Sequence, residues 1–158
     1  MADLKVKLGD LELSNPITVA SGTFGFGREY EQFYPLSELG AVITKAVTLE
    51  RRVGNNTPRL VETASGILNS IGLENPGVDH FLAEDLPFLQ KSGATVIVNI
   101  AGRTVDDYRA VAARLAKAEG IAAVEVNISC PNVREGGIAF GTEPQMAQRV
   151  TRAVREAW

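Results

Sequence analysis

Four short runs of apolar, mostly β-branched residues constrain this chain more than anything else in it. They span residues 17–20, 41–43, 95–98 and 123–126. Runs of this length and composition read as strands covered on both faces, the signature of a parallel sheet. Each opens onto polar residues: Ser21-Gly22-Thr23, Thr44-Lys45, Asn99, and Asn127-Ile128-Ser129-Cys130. In parallel α/β folds, ligand chemistry collects at the C-terminal ends of strands.

Helical patterns lie between and after these runs. Thr104 can cap a helix with Val105, Tyr108, Val111, Ala112 and Leu115 on one face and Gly120 as a stop. Thr142-Glu143-Pro144-Gln145 opens another, with Met146, Val150 and Val154 aligned. Residues 79–91 form a weaker pattern, interrupted by Pro87, and residues 28–33 a short one. Residues 4–13 alternate around Gly9-Asp10, a hairpin signal. Strand, helix, strand predicts parallel βαβ units. About four such units fit, whereas a full (β/α)₈ barrel needs about 250 residues. The long connection 47–78 holds Gly54, Gly66, Gly72 and Gly77, and its apolar residues Leu60, Ile67, Leu68, Ile71 and Leu73 predict an ordered loop.

Composition narrows the functions. The 158 residues carry a net charge of −3, which argues against a nucleic-acid footprint. No apolar run reaches the roughly 20 residues of a membrane helix, and the N-terminus shows no signal-peptide pattern, so a cytoplasmic protein is expected. The lone cysteine, Cys130, excludes an internal disulfide and a multi-cysteine zinc or iron–sulfur site on this chain. No metal ligands are assigned. The single histidine, His80, lies at a helix start and is expected at the surface without a role.

Candidate chemistry sits at the strand ends. Asn127 offers a donor and an acceptor, and Cys130 a proton-transfer group. Alternatively, Cys130 is a buried small hydrophobe. A free thiol titrates near about 8.5, which makes it a modest base at neutral pH. Lys45 either snorkels to solvent or sets a cation beside an anionic ligand or reduced cofactor. The segment Asn69-Ser70-Ile71-Gly72-Leu73 reads equally well as a turn. Residues 22–27 (GTFGFG) lack the nucleotide fingerprints and suit a close-packed turn beneath a ligand.

Four segments together carry a resemblance. ASGTFG at 20–25, KAVT at 45–48, NSIGLENPG at 69–77 and NISCPN at 127–132 resemble class 1 dihydroorotate dehydrogenases, in order across essentially the whole chain. VREGGIAFG at 133–141 is similar to the NAD-linked class 1B catalytic subunit rather than the fumarate-linked class 1A enzyme. Cys130 stands where the membrane-bound class 2 enzymes carry serine.

The resemblance implies the N-terminal half of a (β/α)₈ TIM barrel with an N-terminal β-hairpin, residues 1–158 being one partial FMN-binding barrel. It implies oxidation of dihydroorotate to orotate in pyrimidine synthesis. Ser21, Lys45, Ala46, Asn99 and Asn127 would touch FMN. Lys45, Asn69, Ser70, Ile71, Gly72, Leu73 and Asn127 would touch the substrate, and Cys130 would be the base. Electrons would leave to NAD⁺ through an iron–sulfur flavoprotein subunit carrying FAD and a [2Fe–2S] cluster, around a homodimer at the core of a heterotetramer. The chain ends about halfway through such an enzyme. The second half would bring another FMN-binding lysine and the phosphate loops that follow strands seven and eight. A related pyrimidine oxidoreductase of the dihydropyrimidine dehydrogenase type and an inactive half-barrel are the alternatives.

Overall fold

A computed structural model describes residues 2–131 and 137–158. Residues 132–136, which include the end of the NISCPN motif and the first four residues of the VREGGIAFG segment, lie outside the described residues. The expected hairpin forms from β1 (Val6–Leu8) and β2 (Leu11–Leu13), paired antiparallel across Gly9. Gly9 has φ +62°, a left-handed conformation that glycine adopts without a Cβ clash. The short helix α1 (Arg28–Glu31) follows, then β3 (Val42–Ile43). A second antiparallel hairpin, β4 (Leu60–Thr63) and β5 (Gly66–Asn69), occupies the long connection. Next come α2 (Val78–His80), a π-helical turn (Phe81–Asp85) and α3 (Leu86–Lys91). The chain closes with β6 (Val96–Ile100), α4 (Val105–Leu115), β7 (Ala123–Val126), α5 (Ile138–Gly141) and α6 (Pro144–Ala157).

The central sheet has the order β3-β6-β7, all parallel. Strand periodicity divides β6 between two environments. Val96, Val98 and Ile100 pack in the core that also holds Tyr108, Val111, Ala112 and Leu115 of α4, with Val150 and Val154 of α6. Ile97 instead packs against Ala41 and against Leu13 of the N-terminal hairpin. Asn99 alternates with Val98 and Ile100 and therefore shares the face of Ile97. Pairing of Asn99 with Glu125 on β7 sets a polar pair there.

Several expectations need correcting. The run 17–20 contributes a single parallel bridge, Thr18 to Ala41, instead of a strand. Pro16 cannot donate to a ladder, and the chain turns at once where Thr23 N–H donates to the Ala20 carbonyl. The third run, 95–98, does not end at Asn99 as expected, because β6 runs on through Asn99 to Ile100. Residues 78–91 remain helical through Pro87. The wider π turn ahead of it accommodates the missing N–H, and Pro87 falls in the first turn of α3. Helix α6 starts from Glu143 with Pro144 at its first turn, while the Thr142 hydroxyl donates back to the carbonyl of Ile138, the first residue of α5. The cap of α4 does form as a reciprocal box between Thr104 and Asp107.

The connection 47–78 is ordered, but by different means than its apolar content suggests. Leu60, Ile67 and Leu68 are exposed. Order comes from the β4–β5 pairing and from Asn75, which is buried. The Asn75 side-chain oxygen accepts from Thr48 N–H, the Thr48 hydroxyl and Gly77 N–H at 3.0–3.1 Å, and its amide donates to the Leu73 carbonyl at 2.8 Å. Backbone bonds in both directions join Arg52 and Asn75.

Candidate active site

Strand ends and loops converge on one cavity of about 420 Å³. Ser21, Gly22 and Thr23 line it from the loop after residue 20, and Lys45 and Ala46 from the end of β3. The tip of β5 and the turn after it add Asn69, Ile71, Gly72 and Leu73. Asn99, Asn127, Ser129, Cys130 and Pro131 complete the wall from β6 and the exit of β7. Every site residue expected from the sequence is therefore here, except Ser70. Ser70 turns aside, and its hydroxyl and carbonyl both accept from the Asn55 amide.

The amides are oriented by their partners. Asn99 Nδ2 donates to the Glu125 carboxylate and reaches the Ser21 hydroxyl at 3.4 Å. Its oxygen accepts from Asn127 Nδ2 at 3.3 Å, and Asn127 Oδ1 accepts from Ser129 N–H at 3.4 Å. Charge at one end of this chain thus sets which edge each amide presents. Glu125 escaped the sequence reading. Its signal is a single carboxylate inside an otherwise apolar strand, and the parallel register is what sets it opposite Asn99.

Tyr108 is the second residue that the sequence reading took for core alone. It is fully buried, and its hydroxyl donates to the Asn127 carbonyl at 2.6 Å. Burial pushes its phenol above the usual tyrosine range, with a smaller contribution in the same direction from Cys130. Helix α4 therefore holds the end of β7 from behind. Lys45 is half-buried, and its ammonium has no partner among the described residues. Its backbone is held, because Lys45 N–H donates to the Gly25 carbonyl at 2.8 Å. Leu73 has φ +58°, an uncommon conformation for a branched side chain, in the turn that faces the cavity. Cys130 is half-buried, and its carbonyl accepts from Ile138 N–H at 3.0 Å, tying the thiol-bearing loop to α5.

The donor set fits the ring of a flavin and a small pyrimidine. Two fixed amides, a hydroxyl and an ammonium without a partner among the described residues match edges that alternate carbonyls and N–H groups. Lys45 is the one cationic side chain lining the cavity. No group of three or more His, Cys, Asp or Glu side chains among them is placed to hold a metal ion. No helix among them is long and apolar enough to cross a membrane.

The dihydroorotate dehydrogenase family model matches residues 3–158. The chain belongs to this family. It is 56% identical over 155 residues to a dihydroorotate dehydrogenase B (NAD(+)) catalytic subunit of Listeria monocytogenes, covering 98% of this chain and 51% of that one. A catalytic subunit of the same description from Anoxybacillus flavithermus is 59% identical over 156 residues, covering 99% of this chain and 50% of that one. The chain spans about half the length of the curated relatives it matches. A crystal structure of the Eimeria tenella enzyme in complex with ferulenol superposes with a TM-score of 0.78 at 20% identity, over 98% of this chain and 43% of that one. The fold is accordingly an N-terminal portion of a TIM barrel, with a hairpin ahead of it.

Proposed function

We propose that residues 1–158 supply the N-terminal half of an FMN-dependent barrel that oxidises dihydroorotate to orotate. The observation that carries this reading is the single cavity in which Ser21, Lys45, Asn69, Asn99, Asn127 and Cys130 meet from separate segments. The kinship to catalytic subunits described as NAD(+)-linked supports it. FMN, when bound, supplies the hydride acceptor. Ser21, Ala46, Asn99 and Asn127 hold the flavin ring by its polar edge. Asn69, Ile71, Gly72, Leu73 and Asn127 orient the pyrimidine, and Ser70 steadies their turn through Asn55. Cys130 takes the proton from substrate C5 as the hydride leaves C6. Lys45 stabilises the negative charge that develops on the substrate and flavin side of the cavity.

On the same reading the electrons leave to NAD⁺ through a separate iron–sulfur flavoprotein with FAD and a [2Fe–2S] cluster. The catalytic chains pair as a homodimer at the centre of a heterotetramer in the cytoplasm. The test is anaerobic mixing of dihydroorotate with a full-length enzyme carrying this sequence. Rapid bleaching of the flavin is expected with dihydroorotate and none with dihydrouracil. The opposite preference assigns the site to the dihydropyrimidine dehydrogenase type of chemistry and overturns the proposal.

A further inference from the structure

Arg28 sits outside the cavity, at the foot of the loop that lines it. Its Nη2 donates to the Glu84 carbonyl at 2.7 Å. Nε and Nη2 both reach Asp85 Oδ1 at 3.4 Å. The guanidinium also lies 4.3 Å from the centroid of the Phe88 ring. Asp85 is buried, with 8% of its side chain exposed. Its other oxygen, Oδ2, has no hydrogen-bond partner among the described residues and faces His80 Nδ1 at 3.5 Å. A carboxylate in that position is costly unless a cation compensates it.

The pair is an expensive way to secure packing. Phe26 and Phe81 already make an aromatic contact between the same two segments, with centroids 5.7 Å apart. With Asp85 buried and 47% of the Arg28 side chain exposed, the pair adds little stability over apolar residues of similar volume, while its directed contacts favour one orientation. Here the selected orientation is that of residues 20–31. This arch is stiffened by Thr23 N–H to the Ala20 carbonyl, Gly27 N–H to the Phe24 carbonyl, and stacking of Phe24 on Tyr30. Gly22 and Thr23 on it line the cavity, and its Gly25 carbonyl receives the Lys45 N–H.

We infer that Arg28 and Asp85 form a latch that positions the 20–31 arch, and through Gly25 the backbone of Lys45, for flavin reduction. Both are positioning residues and neither touches the reacting atoms. The kinetic part of this inference rests on the flavin reading above. A displacement of about 1 Å at a reacting centre can cost about 10²-fold in rate.

The experiment compares Arg28→Met with the double variant Arg28→Met/Asp85→Leu in a full-length enzyme carrying this sequence. The single variant strands a buried carboxylate and should lower both the melting temperature and the rate of flavin reduction. The double variant removes the stranded charge and should recover the melting temperature. Its flavin reduction should stay about 10²-fold below wild type, and its Lys45 amide should exchange hydrogen faster. Recovery of both rate and melting temperature in the double variant reduces the pair to packing and overturns the latch. Unchanged Lys45 exchange in both variants does the same. If wild-type flavin is not reduced by dihydroorotate, the proposed function fails, and the Lys45 exchange rates alone decide the latch.

Discussion

Lys45 and Cys130 share a cavity wall, yet the same substitution logic predicts different losses at each. Lys45 carries a cation with no partner among the described residues, so its removal breaks no ion pair described in the fold. Lys45→Ala should leave the melting temperature nearly unchanged and slow flavin reduction by about 10²–10³-fold, the usual cost of removing charge aimed at a transition state. Stopped-flow absorbance measures the rate, and an unchanged rate returns Lys45 to a snorkelling role. Cys130→Ser preserves shape and replaces the thiol with a far weaker acid. In a full-length enzyme it should lower flavin reduction by about 10²–10⁴-fold while FMN and orotate still bind. Equal rates for cysteine and serine would remove the base assignment, and a change confined to the melting curve would make Cys130 a packing residue.

Elements carry these side chains into register. Tyr108 projects from α4 to the Asn127 carbonyl, so one hydroxyl joins the helix to the strand end that delivers Asn127 and Cys130. Tyr108→Phe should cost about 0.5–1.5 kcal/mol through that hydrogen bond. It should also change the alkaline limb of the stability curve. Burial raises the folded-state pKa of Tyr108, so the unfolded chain loses this proton first as pH rises. The stabilisation is complete below the unfolded tyrosine value of about 10 and is lost as pH climbs from there through the folded value. Denaturant melts of both proteins between neutral pH and pH about 11 should therefore converge as pH rises. Parallel curves would show that the phenol does not titrate differently on folding. The β4–β5 hairpin illustrates a different dependence. Its strands pair with each other, and the turn beyond is held by Asn75 reaching back to Thr48, 27 residues earlier in the chain.

At the scale of the whole molecule, exposed apolar surface dominates. Leu60, Val61, Ile67 and Leu68 on the β4–β5 hairpin are each more than half exposed, as are Ile17 and Phe33. β7 has one strand partner, β6, in the described sheet. Open edges and apolar patches of this kind pair with other chains. The isolated 158-residue chain should therefore self-associate. It should also fail to retain FMN, because on the proposed reading the described cavity would meet only the polar edge of the ring. Gel filtration with light scattering and a flavin absorption spectrum test both points. A monomer with one FMN per chain would contradict them.

The ends of β3 and β7 were legible in the residues because burial on both faces favours apolar runs, whereas the run 17–20 forms only a bridge and β6 continues through the buried Asn99. The Thr104 cap was legible because its hydrogen bonds close within four residues. The pattern also carried a core face of α4, although it could not reveal that Tyr108 spends its hydroxyl on the Asn127 carbonyl. Only the tertiary structure decided which strand ends meet, because parallel register depends on contacts between residues far apart in the chain. That register set Glu125 beside Asn99. The same holds for Asn75 and Thr48, and for Arg28 and Asp85, which lie 57 positions apart. It also turned Ser70 out of a cavity that its neighbours Asn69 and Ile71 line, since alternate residues at the end of a strand face opposite ways.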